Sequence, residues 1–207
     1  RQPSIVEDER SIISVRLSAD GNTVAFSLLS DPEISESIIR LFSWDEEKKR
    51  WVQKGKDFYT EVNYNNFYNY AVYEYNPFSL SADGNTIAIS FANKDGDVEN
   101  YLDKVEKPPV PGKNKVYSWD GNSWNQKGLD IIGKDDDFMQ LYISLSNDGN
   151  TVAVGGSSIE LAKVIFVPYI EIDDDYWSAP TSAQNFVRVY SFEGNRWVQK
   201  GSPIENI

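Results

Sequence analysis

Oxygen-bearing side chains that could do chemistry gather in three places. In Asn93-Lys94-Asp95-Gly96-Asp97-Val98-Glu99, the residues Asn93, Asp95, Asp97 and Glu99 alternate around a glycine. Hard cations want several carboxylate and carbonyl oxygens from one tight turn, so this spacing could hold calcium. Lys94 opposes a cation, and a solvated polar turn is the preferred reading. Calcium is the one candidate ion, and no other cofactor is expected. The other two places are acidic runs, Asp135-Asp136-Asp137 and Asp173-Asp174-Asp175. Paired carboxylates can hydrolyse glycosides, but contiguous aspartates without a positioned partner are ordinarily solvated charge.

The chain has no histidine and no cysteine. That removes the commonest general base and the commonest transition-metal ligand. It also removes thiol catalysis, thiolate metal sites and disulfides. A Ser-His-Asp triad is impossible, and no catalytic residue is assigned. The expectation is a protein that is not an enzyme.

Composition narrows the partners. A net charge of −12 opposes nucleic-acid phosphates and anionic lipid surfaces, which are bound through Lys and Arg. No run approaches the roughly 18 apolar residues of a membrane helix, so neither nucleic acid nor membrane insertion is expected. With 40% hydrophobic and 14% aromatic residues, the chain can pack a core. It starts Arg1-Gln2-Pro3-Ser4, which reads as a processed form or as part of something longer.

These residues are positioned by a threefold repeat. Ser18-Ala19-Asp20-Gly21-Asn22-Thr23-Val24-Ala25 returns as Ser81-Ala82-Asp83-Gly84-Asn85-Thr86-Ile87-Ala88 and as Ser146-Asn147-Asp148-Gly149-Asn150-Thr151-Val152-Ala153. The copies stand 63 and 65 residues apart. Behind each comes a second block: Leu41-Phe42-Ser43-Trp44 with Trp51-Val52-Gln53-Lys54-Gly55, Val116-Tyr117-Ser118-Trp119 with Trp124-Asn125-Gln126-Lys127-Gly128, and Val189-Tyr190-Ser191-Phe192 with Trp197-Val198-Gln199-Lys200-Gly201. Asp-Gly-Asn between alternating apolar residues predicts a hairpin, with Gly and Asn taking positive φ. Each unit reads as four short strands, and no 3.6-residue period is present. The units span about 1–65, 66–130 and 131–207 of a single repeat domain, 1–207.

Four-stranded units in tandem are the sequence form of propeller blades. The two motif blocks resemble the integrin-α-like, FG-GAP-type β-propeller repeat, especially the variant found in surface and secreted proteins of bacteria and algae. The resemblance implies an all-β fold of three antiparallel blades, as a partial ring or one completed by a neighbour; the alternative is three sheets packed as a prism. It also implies an extracellular, surface or large-complex setting, and it likens the Asn93–Glu99 segment to that family's calcium loops, though only one of the three units carries it. Trp51, Trp124 and Trp197, fixed at the start of the fourth strand, are expected to pack between blades.

The units differ mainly between strands two and three, where the distance grows from 24 residues (Asp20 to Trp44) to 36 (Asp83 to Trp119) and 44 (Asp148 to Phe192). In a four-stranded meander alternate connections share a rim, so these variable segments and the unit-to-unit connections lie together. Insertions confined to one rim usually mark the binding face of a repeat protein. Tyr64, Phe67 and Tyr68 are expected to contact a partner there, whereas Tyr73, Tyr75 and Phe78 fill a strand face. Val164, Phe166 and Tyr169, in an apolar stretch, and Trp177, outside the repeated tryptophan positions, are read as a docked patch. The function expected is a non-catalytic protein-binding or scaffold subunit of a larger assembly, met by a protein partner or by further blades or copies. The alternative is an extracellular adhesion module binding carbohydrate or calcium.

Overall fold

The computed structural model describes residues 12–29, 36–61, 78–91, 112–134, 137–159 and 183–205. They form three antiparallel sheets and no helix. The first sheet holds β1 (Ile12–Leu17), β2 (Thr23–Leu29), β3 (Glu36–Asp45), β4 (Arg50–Gln53) and β5 (Phe58–Glu61). The second holds β6 (Phe78–Leu80), β7 (Thr86–Phe91), β8 (Lys113–Trp119), β9 (Trp124–Gln126) and β10 (Ile131–Ile132). The third holds β11 (Asp137–Leu145), β12 (Thr151–Ile159), β13 (Ala183–Glu193), β14 (Arg196–Gln199) and β15 (Ile204–Glu205). In each, the first four strands form a meander of sequential antiparallel hairpins, and the fifth returns to pair with the third.

The expected fourth strand is broken in two. β4 pairs with the end of β3, from Phe42↔Gln53 to Asp45↔Arg50, while β5 pairs with its beginning, from Glu36↔Glu61 to Ile39↔Phe58. β9 and β10 divide β8 in the same way, and β14 and β15 divide β13. The break falls on the Gln-Lys-Gly block. Gly55, Gly128 and Gly201 have φ of 80°, 77° and 75°, which a glycine adopts without the steric cost other residues meet. The glutamine straps each bend: Gln53 Nε2 donates to Gly55 O (3.2 Å) and Asp57 Oδ1 (2.9 Å), Gln126 Nε2 to Gly128 O (3.2 Å) and Asp130 Oδ1 (2.8 Å), and Gln199 Nε2 to Gly201 O (2.9 Å).

The Ser-x-Asp-Gly-Asn-Thr block forms a closed corner between the first two strands. Leu17 pairs with Val24, and Ser18 N–H donates to Thr23 O (2.8 Å), which leaves the four residues 19–22 as the tip of the loop. Ser18 Oγ donates to Asp20 Oδ1 (2.6 Å) and accepts from Thr23 N–H (2.8 Å), and Asn22 N–H also donates to Asp20 Oδ1 (2.9 Å). Equivalent bonds recur around Asp83 and Asp148. Only the glycines, Gly21, Gly84 and Gly149, are left-handed (φ 74°, 66° and 69°). Asn22, Asn85 and Asn150 are not, contrary to the expectation for a tight two-residue turn. A longer loop with one left-handed residue relieves them of that requirement.

Two apolar clusters lie between the sheets. Ala25, Ile39 and Leu41 of the first meet Phe78, Ile87 and Ile89 of the second. Ala88, Val116 and Ile131 of the second meet Ile143, Leu145, Val152 and Val154 of the third. Among the described residues no cluster joins the first sheet to the third. The sheets therefore stand in series as consecutive blades of a β-propeller and do not close as a prism.

Candidate interaction surfaces

The joint between blades is built from the two repeated blocks. Lys54, buried at the bend of the first blade, reaches 30 residues ahead: its Nζ donates to Gly84 O and Asn85 Oδ1, both at 2.8 Å. Lys127 repeats this on Gly149 O (2.8 Å) and Asn150 Oδ1 (2.7 Å). In return, Trp124 Nε1 donates to Lys54 O and Trp197 Nε1 to Lys127 O, each at 2.8 Å. The corners are also tied directly, by Ala19 N–H to Ala82 O (2.8 Å) and Ala82 N–H to Asn147 O (2.9 Å). The asparagine of the corner thus serves as an acceptor for the preceding blade's lysine.

Two glycines are required by this closeness. A Cβ on Gly84 would lie 2.4 Å from Thr23 Cβ, and one on Gly55 would lie 2.6 Å from the Trp124 ring. The lysine ammonium also lies over aromatic faces, 5.6 Å from the Trp124 ring centre for Lys54 and 4.9 Å from the Phe192 ring for Lys127.

Electrostatics follow from this geometry. Burial pushes the Lys54 ammonium below its ordinary pKa, and the charges of Asp83 and Asp20 work against that shift. Burial lowers Lys127 likewise, against Asp148 and Asp83. Asp20 and Asp148 are held below the usual carboxylate range, first by the serine hydroxyls of their corners and then by the asparagine N–H groups. For Asp83 burial acts upward, but Ser81 and Asn85 outweigh it and the net shift is also down. The corner aspartates are therefore engaged in holding the turn.

The strand ends divide the molecule into two rims. The corners and the β3–β4, β8–β9 and β13–β14 turns share one, where Trp44 N–H donates to Asn22 O (2.8 Å), Trp119 N–H to Asn85 O (2.8 Å) and Phe192 N–H to Asn150 O (2.9 Å). The strand ends that flank 30–35, 92–111 and 160–182 lie on the opposite rim, as do those flanking 62–77. Ile12, Tyr59 and Ile132 are exposed apolar residues at strand ends on that rim. An open cleft of about 390 Å³ lies between the outer strands of the second and third blades, lined by Leu129, Ile132, Tyr190, Arg196 and Trp197, with Asp130 as the one carboxylate among the described lining residues. Asp130 is already engaged by Gln126, and the described residues bring no second carboxylate into the cleft.

Several expected site residues lie outside the described residues: Tyr64, Phe67, Tyr68, Tyr73, Tyr75, Val164, Phe166, Tyr169, Trp177, the candidate ligands Asn93, Asp95, Asp97 and Glu99, and both acidic runs apart from the backbone of Asp137. Phe78 is buried in the first inter-blade cluster. Trp124 and Trp197 pack between blades, as their place in the repeat predicts, but Trp51 is exposed. The sequence reading missed the lysine clamp. Its signal was the recurrence of Lys directly before the bend glycine in all three units.

No protein-family model and no curated protein matches the chain. Among solved structures it is similar to an acylaminoacyl peptidase in complex with Z-Gly-Gly-Phe-chloromethyl ketone (14% identity, 95% of this chain and 25% of that one, TM-score 0.53). It is also similar to the Pyrococcus horikoshii acylaminoacyl peptidase in its orthorhombic crystal form (15% identity, 95% and 25%, TM-score 0.50). A third is the β-propeller domain of the Trilobed protease from Pyrococcus furiosus (11% identity, 96% and 43%, TM-score 0.48). The chain spans between a quarter and less than half of those proteins. At such identities the likeness is one of fold.

Proposed function

We propose that this three-blade propeller section is a non-catalytic protein-binding module of a larger assembly, of the FG-GAP type in its repeat pattern, and that it grips its partner with the irregular rim. One observation carries this reading. The repeated corners and the β3–β4, β8–β9 and β13–β14 turns sit on one rim, whereas the strand ends flanking the long, dissimilar connections sit on the other. A rigid scaffold that confines its variable connections to one side is the usual arrangement of a binding face. Tyr-rich segments suit such a face, because the side chain offers large contact area at low entropic cost, and Tyr64, Phe67 and Tyr68 lie in one of those connections.

Crosslinking with mass spectrometry on the native assembly tests the reading. Crosslinks to the partner are expected at Lys94, Lys104 and Lys163, in the variable connections, and not at Lys48 and Lys49 on the corner rim. The reverse distribution would refute it. Calorimetry with calcium, and glycan binding with and without chelator, address the adhesion alternative; heat and chelator-sensitive glycan capture would replace the present proposal.

A further inference from the structure

The first and third blades carry the two unmatched halves of the inter-blade joint. On the first blade, among the described residues, the accepting half is open. Among the described residues nothing comes within 4 Å of a Cβ built on Gly21, whereas its counterparts Gly84 and Gly149 sit against Thr23 and Thr86 of the preceding blade. Val15 is 52% exposed, and the residues at the same place in the next two blades, Phe78 and Ile143, are 1% and 7% exposed. Leu17 is exposed where Leu145 is buried, and Trp51 is 42% exposed where Trp124 and Trp197 each donate to a lysine carbonyl.

The third blade is open in the complementary sense. Lys200 is exposed, although Lys54 and Lys127 in the same motif reach into the next corner. Gly201 has nothing within 4 Å of its Cβ position among the described residues, where Gly55 and Gly128 are covered by tryptophans. Thr151 and Val189 are more exposed than Thr86 and Val116, their second-blade counterparts.

We infer that these end faces bind each other between two copies of the chain, the third blade of one docking on the first blade of the next. Lys200 Nζ meets Gly21 O and Asn22 Oδ1, Trp51 Nε1 meets Lys200 O, and Val15 and Leu17 are covered as Ile143 and Leu145 already are. Charge supports the fit, since Asp20 stands in the receiving corner as Asp83 and Asp148 do in the occupied ones. The occupant suits both ends only if it presents a lysine bend and a serine–aspartate corner at once, and this chain has both. The contact is head-to-tail, so it closes as a ring if the blade-to-blade rotation allows and otherwise continues as an open string. It involves neither the irregular rim nor the partner proposed for it.

The test is sedimentation of the full chain across a concentration series, with Leu17→Glu and Lys200→Glu. Both positions are exposed in the single chain, and circular dichroism checks that each variant keeps its fold. Wild type is expected to sediment at a multiple of 23.5 kDa. Each variant alone should weaken association at least about 30-fold, the effect of leaving one charge buried and unpaired at an interface. Their equimolar mixture should regain association but stop at two chains, because Leu17→Glu keeps an intact third blade and Lys200→Glu an intact first blade. Wild type that stays a single chain at the highest concentration, as it would if a further blade of a longer chain filled the site, overturns the inference. So does association untouched by either variant, or a mixture that fails to pair.

Discussion

Replacing Lys54 by methionine removes the ammonium and keeps most of the packed stem. The wild-type side chain makes two hydrogen bonds at 2.8 Å, one of them to the carbonyl of the buried Gly84. Hydrogen bonds from a charged group contribute about 1.5–3 kcal/mol each, so the gross loss is about 3–6 kcal/mol. Methionine also escapes the cost of burying a charge, the same burial that depresses the lysine pKa. We expect a net loss of about 2–3 kcal/mol. Lys127 makes the equivalent bonds in a more exposed place, and solvent screening reduces the expected cost of Lys127→Met to about 1 kcal/mol. Lys200→Met, exposed in the single chain, should change stability by no more than about 0.5 kcal/mol. Urea unfolding followed by tryptophan fluorescence, at concentrations too low for end-to-end contact, gives the three values. Folding lowers the Lys54 pKa, so between its folded value and the ordinary 10.5 the unfolded chain binds more protons. Stability through this group therefore rises with pH in that window, and wild type should gain on Lys54→Met as pH climbs through it. Equal losses at Lys54 and Lys200, or none at Lys54, would refute the account of the joint.

Three further outcomes follow from the same geometry. Gly84→Ala should cost clearly more than Gly21→Ala, because both force alanine into left-handed backbone at about 1–2 kcal/mol and only Gly84 adds a clash with Thr23; matched thermal melts measure the difference. Trp197→Phe removes the Nε1 donor to Lys127 O and should cost about 1 kcal/mol, while Trp51→Phe should leave the single chain unchanged in the same melts. In acid, Asp120, whose pKa is held at about 2, and the corner aspartates, whose pKa values are also lowered, titrate in the folded chain below the unfolded 3.8. Their stabilisation is complete above pH 4 and is lost as pH falls through the folded values, and an acid titration should show a shallower fall for Asp120→Asn than for wild type.

Much of the frame could be read from residue order alone. The serine, aspartate, glycine and threonine of each corner bond within six residues of one another, so their spacing already contains the turn. The later two tryptophans were legible because a fixed place in a repeat implies a fixed neighbour, and Phe78 because alternation puts it on a strand face. The recurring lysine marked a position, but what it clamps was not legible, because its acceptors lie 22 to 31 residues away on another sheet. The broken outer strand was missed although Gly55, Gly128 and Gly201 signalled it; a glycine after a short strand reads as its end, and nothing local says that pairing to the same neighbour resumes. Asn85 and Asn150 were misread because asparagine tolerates left-handed backbone, and only the joint reveals that their side-chain oxygens accept from the preceding blade's lysine.

In each joint the preceding blade's lysine and corner amide, and the following blade's indole, find their partners mainly in main-chain oxygens, of Gly84 and Gly149, of Lys54 and Lys127, of Ala82 and Asn147. Such acceptors are present whatever side chains surround them. A segment copied in tandem would therefore arrive with its connection to the previous segment already made, and could afterwards diverge everywhere except at those few positions. The architecture can lengthen by duplication without having to reinvent the way its pieces meet.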